Sequence, residues 1–242
     1  MDTEEKNKFE KEIIRSNYLR ICDGIAESAY KAGRAEGSVR LIGVTKFVET
    51  ERILPAIEAG LTDVGENRAQ ELVDKFDFFS QCGVARHFIG TLQTNKVKYL
   101  IGRADVIQSV DREPLVSEIN RIACKAGLIQ RVLIEVNIGN EEQKAGIAPG
   151  ALRTLLESIS ALPNIHVEGL MCIPPAGNED EARPYFARMN ELFLKMKELK
   201  LPNIDMNDLS MGMSGDYKAA VAEGATMVRV GSAIFGARRY AL

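Results

Sequence analysis

No run of about 18 apolar residues occurs anywhere in the 242 residues, so no segment reads as a membrane-spanning helix. A secretory leader is not expected either: the first residues, MDTEEKNKFEKEIIRS, are polar and acidic where a signal peptide is basic and then apolar. Cysteine is sparse. Cys22, Cys82, Cys124 and Cys172 lie 60, 42 and 48 residues apart, which gives neither a C-x-x-C metal pattern nor the density of a disulfide-stapled domain. A reduced cytoplasmic interior is the expected setting. Neither sign of charge dominates: 31 basic against 34 acidic residues leave −3, with no long block of one sign, which disfavours nucleic-acid binding by bulk charge. Walker A and G-x-S-x-G patterns are absent, which removes nucleotide-kinase and serine-hydrolase readings.

What is present is regular. With 45% hydrophobic residues, a chain of this length can bury roughly three quarters of its unfolded surface, and one domain spanning 1–242 is expected, its first 35 residues forming a leading helix. From Thr3 to about Ala32 the apolar residues Ile14, Tyr18, Ile21 and Ile25 recur at helical spacing among charges. Eight short apolar runs follow, at 41–45, 62–65, 86–90, 106–110, 132–138, 166–172, 208–211 and 226–230. Helical stripes stand between them, such as Leu152, Leu155, Leu156, Ile159 and Leu162. Another comprises Phe186, Met189, Leu192, Phe193, Met196 and Leu199, with Pro184 near the first turn. Eight βα units in a row predict a closed parallel (β/α)8 TIM barrel. An open doubly wound sheet is the alternative, but its G-x-G-x-x-G turn after the first strand is missing.

Such a barrel places its chemistry at the C-terminal ends of its strands. The polar residues there are Lys46, Glu66, Asn67, Gln93, Asn95, Asp111, Asn137, Ser210 to Ser214, Arg229, Gly231 and Ser232. Lys46 ends LIGVTK, where desolvation would favour the neutral, nucleophilic amine that a Schiff base needs; a lysine snorkelling out of a strand end is the plainer reading. Gly231 and Ser232 open a short helix after the last strand, and Ser210, Gly212, Ser214 and Gly215 occupy the loop after the seventh. Those adjacent loops are the usual phosphate cradle of a barrel, although each also reads as a strand end or a helix cap. Arg229 lies two residues before Gly231 on the same strand face, deeper in the barrel. From there it can meet the pyridine nitrogen of pyridoxal phosphate, whose aldehyde would suit Lys46, or simply pair with a barrel carboxylate. His87 and His166 each start a strand, at the end away from the expected site, and a metal site is not expected there. The basic stretch Asn95 to Lys98 reads as the solvated face of the third helix, with phosphate steering as the alternative.

HFIGTLQTNKVKYL at 87–100, with GVTKFV, VGENRAQEL and LSMGMSGDYKAAVAEGATMVRVGSAIFG in the same order and spacing, resembles the family of pyridoxal phosphate homeostasis proteins. VRVGSAIFG is also similar to the matching segment of the alanine racemase barrel domain. The likeness runs from the leading helix to Gly236. It implies a monomeric barrel of the alanine racemase N-terminal-domain type, with pyridoxal 5'-phosphate as a Schiff base on Lys46. It further implies Ser214, Gly231 and Ser232 at the phosphate, Arg229 at the ring nitrogen and Asn67 lining the pocket; Ser210 and Met213 complete the expected cofactor contacts. The implied role is cofactor buffering and delivery to dependent apoenzymes, with effects on amino-acid and keto-acid balance, more than a defined turnover. Lys144 in QKAGI is a transient cofactor acceptor by the same resemblance and a solvated loop lysine by its surroundings in the sequence. Two enzymatic alternatives remain. A weak amino-acid racemase would need a second proton donor, which full racemases resembling this barrel draw from a following domain. A Schiff-base aldolase would need a carboxylate near the amine, and Glu66 is the candidate.

Overall fold

A computed structural model describes residues 3–236; the outermost residues of the expected 1–242 unit, 1–2 and 237–242, lie outside the described residues. Eight parallel strands close into a barrel in sequence order. They are β1 (Arg40–Val44), β2 (Asp63–Glu66), β3 (Ala85–Phe88), β4 (Val106–Val110), β5 (Gln130–Val136), β6 (Ile165–Cys172), β7 (Ile204–Ser210) and β8 (Met227–Val230). Closure is direct: β8 pairs in parallel with β1, setting Ile42 opposite Arg229. The expected (β/α)8 barrel is therefore the observed fold.

The helices are α1 (Thr3–Lys31), α2 (Thr50–Glu58), α3 (Ala69–Asp74), α4 (Phe76–Cys82), α5 (Val97–Leu100), α6 (Glu113–Ala126), α7 (Leu152–Ile159), α8 (Glu179–Lys197), α9 (Tyr217–Ala222) and α10 (Ser232–Phe235). Their apolar stripes pack on the strands in one large core, while Ile42, Val106, Leu133, Met171 and Met227 form a second, small cluster of their own. Those five residues point to the barrel axis, the opposite face of each strand from the helices. α1 buries Ile14, Tyr18, Ile21, Ile25 and Ala29 against α2, α9 and α10. No helix among the described residues is long and apolar enough to cross a membrane.

Local differences from the expected elements have identifiable causes. β7 begins at Ile204, four residues early, because Ile204 to Asn207 alternate between covered and exposed positions and so lack an apolar run. β5 stops at Val136 instead of Ile138: the Asn137 N–H donates to the Ile147 carbonyl (3.0 Å), and its side chain clamps the following loop through Glu141. α8 starts at Glu179 behind an Asn178–Glu181 capping box, which puts Pro184 in the second turn, beyond the first. Asn95 to Lys98 form no long solvated helix. A 3-10 turn at Thr94–Lys96 leads into the four-residue α5, and Lys96 and Lys98 flank the Tyr99 ring at 5.4 and 5.1 Å.

Candidate cofactor site

Beyond β1 the chain makes a tight turn that carries Lys46. Phe47 adopts φ of 59°, a left-handed conformation that is costly for an aromatic residue and is kept only where its surroundings impose it. Here they do. The Phe47 N–H donates to Glu71 Oε2 (2.8 Å), and the Val48 N–H closes the turn on the Thr45 carbonyl (3.0 Å). Lys75 Nζ donates to that same carbonyl and to Glu66 Oε1, both at 2.8 Å, and Thr45 Oγ1 donates to Glu66 Oε1 at 2.7 Å. Burial pushes the Glu66 carboxyl upward against the pull of Lys75. Lys46, half-buried, thus hangs from a turn braced on both sides.

Across the barrel mouth, Ser214 Oγ accepts from the Gly231 N–H (3.3 Å) and the Ala233 N–H (3.4 Å). Both bonds are long, so two backbone donors converge on one place without being well satisfied. Gly231 fits closely there: a Cβ on it would lie 3.2 Å from both Val44 Cβ and the Val44 carbonyl oxygen, a tight approach that would press on β1. The loop is held by Asp216, which accepts from the Met213 N–H.

Arg229 is 4% exposed. Its NH1 donates to Ser210 Oγ (2.7 Å) and its NH2 to the Cys172 carbonyl (2.8 Å), neutral partners in place of the barrel carboxylate that was its alternative. Burial works against its charge, with Cys172, Glu135 and Asp216 acting the other way. Glu135, inside the barrel on β5, is pushed up to about 7 by burial and by Asp111, opposed by Arg229.

A cavity of about 280 Å³ brings these parts together. Lys46, Asn67, Met213, Ser214, Arg229, Gly231 and Ser232 all line it; Ser210 does not, lying one step below as the support of Arg229. Its apolar walls include Val44, Phe47, Ile89, Ile173 and Phe235, and Arg52 adds a second guanidinium tied to Glu10 (2.7 Å) and the Phe235 carbonyl (2.6 Å). Nothing in the sequence marks these lining residues, since each depends on which loops meet over the mouth.

Other strand-end polar residues are spent on structure. Glu66 belongs to the Lys75 brace and is absent from the cavity lining, and Asp111 pairs with Arg112 (2.5 Å). Lys144 is also absent from it; instead of being freely solvated, its Nζ holds the Pro174 carbonyl (3.0 Å) and Glu141. His166 sits at the start of β6, paired with Asp205 at 3.1 Å. His87 departs from expectation, being 1% exposed inside the barrel, bonded to Asp63 and Gln108. Among the described residues no cluster of His, Cys, Asp and Glu could hold a metal ion, and all four cysteines are free.

The donor set fits a flat ring with an anionic tail. A lysine amine, a buried guanidinium and a serine hydroxyl on which two backbone N–H groups converge line an apolar slot, and Asn67 Oδ1 is buried there with no hydrogen-bond partner. Gly90 allows that asparagine to come in so close, since a Cβ on Gly90 would stand 2.1 Å from the Asn67 carbonyl oxygen.

A strand-one lysine and a strand-eight arginine facing one slot in a closed parallel barrel define a class of protein, and the family model described as "Alanine racemase, N-terminal domain" matches residues 28–239. A pyridoxal phosphate homeostasis protein of Aquifex aeolicus is 44% identical over 222 residues, 91% of this chain and 96% of the relative. The crystal structure of an unknown protein from Bifidobacterium adolescentis superposes with a TM-score of 0.90 at 35% identity, covering 97% of each chain. PipY of Synechococcus elongatus PCC7942, solved with PLP bound, gives 0.76 at 35% identity over 88% of this chain and all of its own. The chain belongs to the pyridoxal phosphate homeostasis protein family.

Proposed function

We propose that this chain binds pyridoxal 5'-phosphate in the cavity at the barrel mouth and acts in intracellular homeostasis of that cofactor. The observation that carries the reading is that Lys46, Ser214, Arg229 and Gly231 line one cavity, with the Gly231 and Ala233 N–H groups converging on Ser214 Oγ. When bound, the cofactor supplies an aldehyde for covalent attachment and a ring that withdraws electrons. The chain's own residues hold it. Lys46 Nζ would be the point of attachment for the aldehyde, Arg229 would face the ring nitrogen, and Ser214, Gly231, Ser232 and the Ala233 N–H would hold the phosphate. Met213 lines the slot and Asn67 Oδ1 would accept from a ring substituent; Ser210 acts through Arg229.

Carriage is favoured over turnover by the composition of the slot. Among its described lining residues Lys46 is the one general base, and no tyrosine, histidine or carboxylate stands opposite it. Glu66 is committed to Lys75 and Thr45, which weighs against the aldolase reading. The chain works as one barrel domain with α1 packed on it, as a cytoplasmic monomer that passes cofactor to dependent apoenzymes and so bears on amino-acid and keto-acid balance.

The test is borohydride reduction of protein loaded with pyridoxal phosphate, followed by intact mass and peptide mapping. One phosphopyridoxyl group on Lys46 is expected; an unmodified Lys46 overturns the reading. Coupled assays with D- and L-alanine then separate a carrier, which gives little turnover, from a racemase.

A further inference from the structure

Barrels of this kind are filled along the axis mainly by branched apolar side chains. This one also carries a file of polar ones. Asp63 on β2, His87 on β3, Gln108 on β4, Ser210 on β7 and Arg229 on β8 are all at most 5% exposed. Each touches the next. Arg229 NH1 donates to Ser210 Oγ at 2.7 Å, the Ser210 hydroxyl donates to Gln108 Oε1 at 2.7 Å, Gln108 Nε2 meets His87 Nδ1 at 2.9 Å, and His87 Nε2 meets Asp63 Oδ1 at 3.0 Å. Thr62 Oγ1 donates to Asp63 Oδ2 at 2.7 Å and ends the chain. Of the five, only Arg229 lines the cavity.

A count of donors and acceptors leaves one arrangement of protons. Ionised Asp63 only accepts, so His87 Nε2 must carry a hydrogen. Although burial opposes its charge, bonds from His87 and Thr62 hold the Asp63 carboxyl below its ordinary range. With His87 neutral, Nδ1 is bare and needs a donor, which turns the Gln108 amide nitrogen toward it; the second amide hydrogen faces Met227 Sδ at 3.8 Å. Gln108 Oε1 is then left to accept the Ser210 hydroxyl, whose lone pairs are free for Arg229. A doubly protonated His87 would reverse the amide, and Ser210 would face donors from both sides with no acceptor for its own hydrogen along the chain. Every donor therefore points from the arginine toward Asp63.

We propose that Asp63, His87 and Gln108 are positioning residues for Arg229, fixing through Ser210 the orientation in which the guanidinium meets the cofactor ring. The proposal rests on the cofactor reading above for what Arg229 faces, but not for the chain itself. Buried polar chains of this sort are rigid only when every member is satisfied, so a break at the far end loosens the near one.

Nitrogen-15 NMR of the imidazole rings in the ligand-free protein tests the chain directly. The two histidines are assigned with a His166→Gln variant. At neutral pH His87 is expected to show a pyridine-type Nδ1 and a pyrrole-type Nε2; the other tautomer, or an imidazolium, overturns the proposal. Ser210→Ala should shift both His87 nitrogens although it does not touch the ring, and unmoved resonances overturn the coupling. With pyridoxal phosphate added, folded Asp63→Asn and Gln108→Leu variants should displace the absorbance maximum of the bound cofactor. They should also weaken binding roughly two- to thirtyfold, the range for residues acting through a packed network. A maximum and affinity equal to the parent's in both variants refute the positioning role. Should Lys46 carry no adduct, the cofactor reading fails alone, because the tautomer and the Ser210→Ala shifts still decide the chain.

Discussion

Glu135 brings a carboxyl into the barrel interior, where burial and the neighbouring Asp111 push it up to about 7 from an ordinary 4.5, against the attraction of Arg229. The native state therefore keeps a proton that the unfolded chain has already released between those two values. This carboxyl's contribution to stability is full below pH 4.5 and is lost as pH rises toward 7, by about 3 kcal/mol in all. Glu135→Gln, isosteric with the protonated form, should be more stable than the parent by up to about 3 kcal/mol at pH 8 and nearly equal to it at pH 5, as urea titrations at the two pH values will show. An equal effect at both would mean that the carboxyl does not titrate differently on folding. The Glu66–Lys75 pair is the opposite case, a buried acid with a partner, the side chains 1% and 13% exposed. Lys75→Met would strand the carboxylate at a cost of about 3 kcal/mol at pH 8, and less as pH falls, because burial already pushes the Glu66 carboxyl toward its protonated form. The same substitution frees the Thr45 carbonyl and loosens the turn that carries Lys46, so cofactor affinity, read by absorbance, should fall with stability.

At the scale of elements, two of the helices were legible because one face must be apolar at a fixed period. α7 and α8 show this in Leu152 to Ile159 and Phe186 to Met196. Strands of a closed barrel are covered on both faces, so their runs carry no alternation to say which side looks at the axis. That is why Lys46, Arg229 and Gly231 could be read from strand ends, while His87 and Gln108, polar residues inside apolar runs, gave no sign of facing each other. The lining contributed by Phe47, Arg52, Ile89, Ile173 and Phe235 was equally hidden, being set by loop closure and not by any local pattern. α8 offers a clean test of local control. Asn178 Oδ1 accepts the Glu181 N–H (3.1 Å) while Glu181 Oε2 accepts the Asn178 N–H (3.0 Å). Asn178→Ala removes half of that box and should cost about 1 kcal/mol in thermal or urea unfolding, with no change in cofactor absorbance, since neither residue lines the cavity.

On the scale of the whole molecule, ligand and fold are joined by α1. The helix crosses the outside of the barrel and packs on both α2 and α10, the elements that follow Lys46 and Gly231. Asn17 Nδ2 donates to the Ile234 carbonyl at 3.1 Å, and Glu10 holds Arg52, whose other end caps Phe235 at 2.6 Å. The two sides of the cavity are therefore braced by one element at the back, and a ligand that bridges them from the front stabilises the same closure. At a hundredfold excess over its dissociation constant, a ligand bound only to the native state adds about 2.7 kcal/mol, which for a domain of this size raises Tm by roughly 5 to 10 °C. Pyridoxal phosphate should give that shift in the parent protein. Lys46→Ala should keep a smaller one from the phosphate and ring contacts alone, restored in part by higher concentration. Asn17→Ala should lower Tm in the free protein and also reduce the ligand-induced increment, because α10 then carries its N–H groups on a looser footing. An increment unchanged by Asn17→Ala would show that the barrel mouth holds its shape without the leading helix.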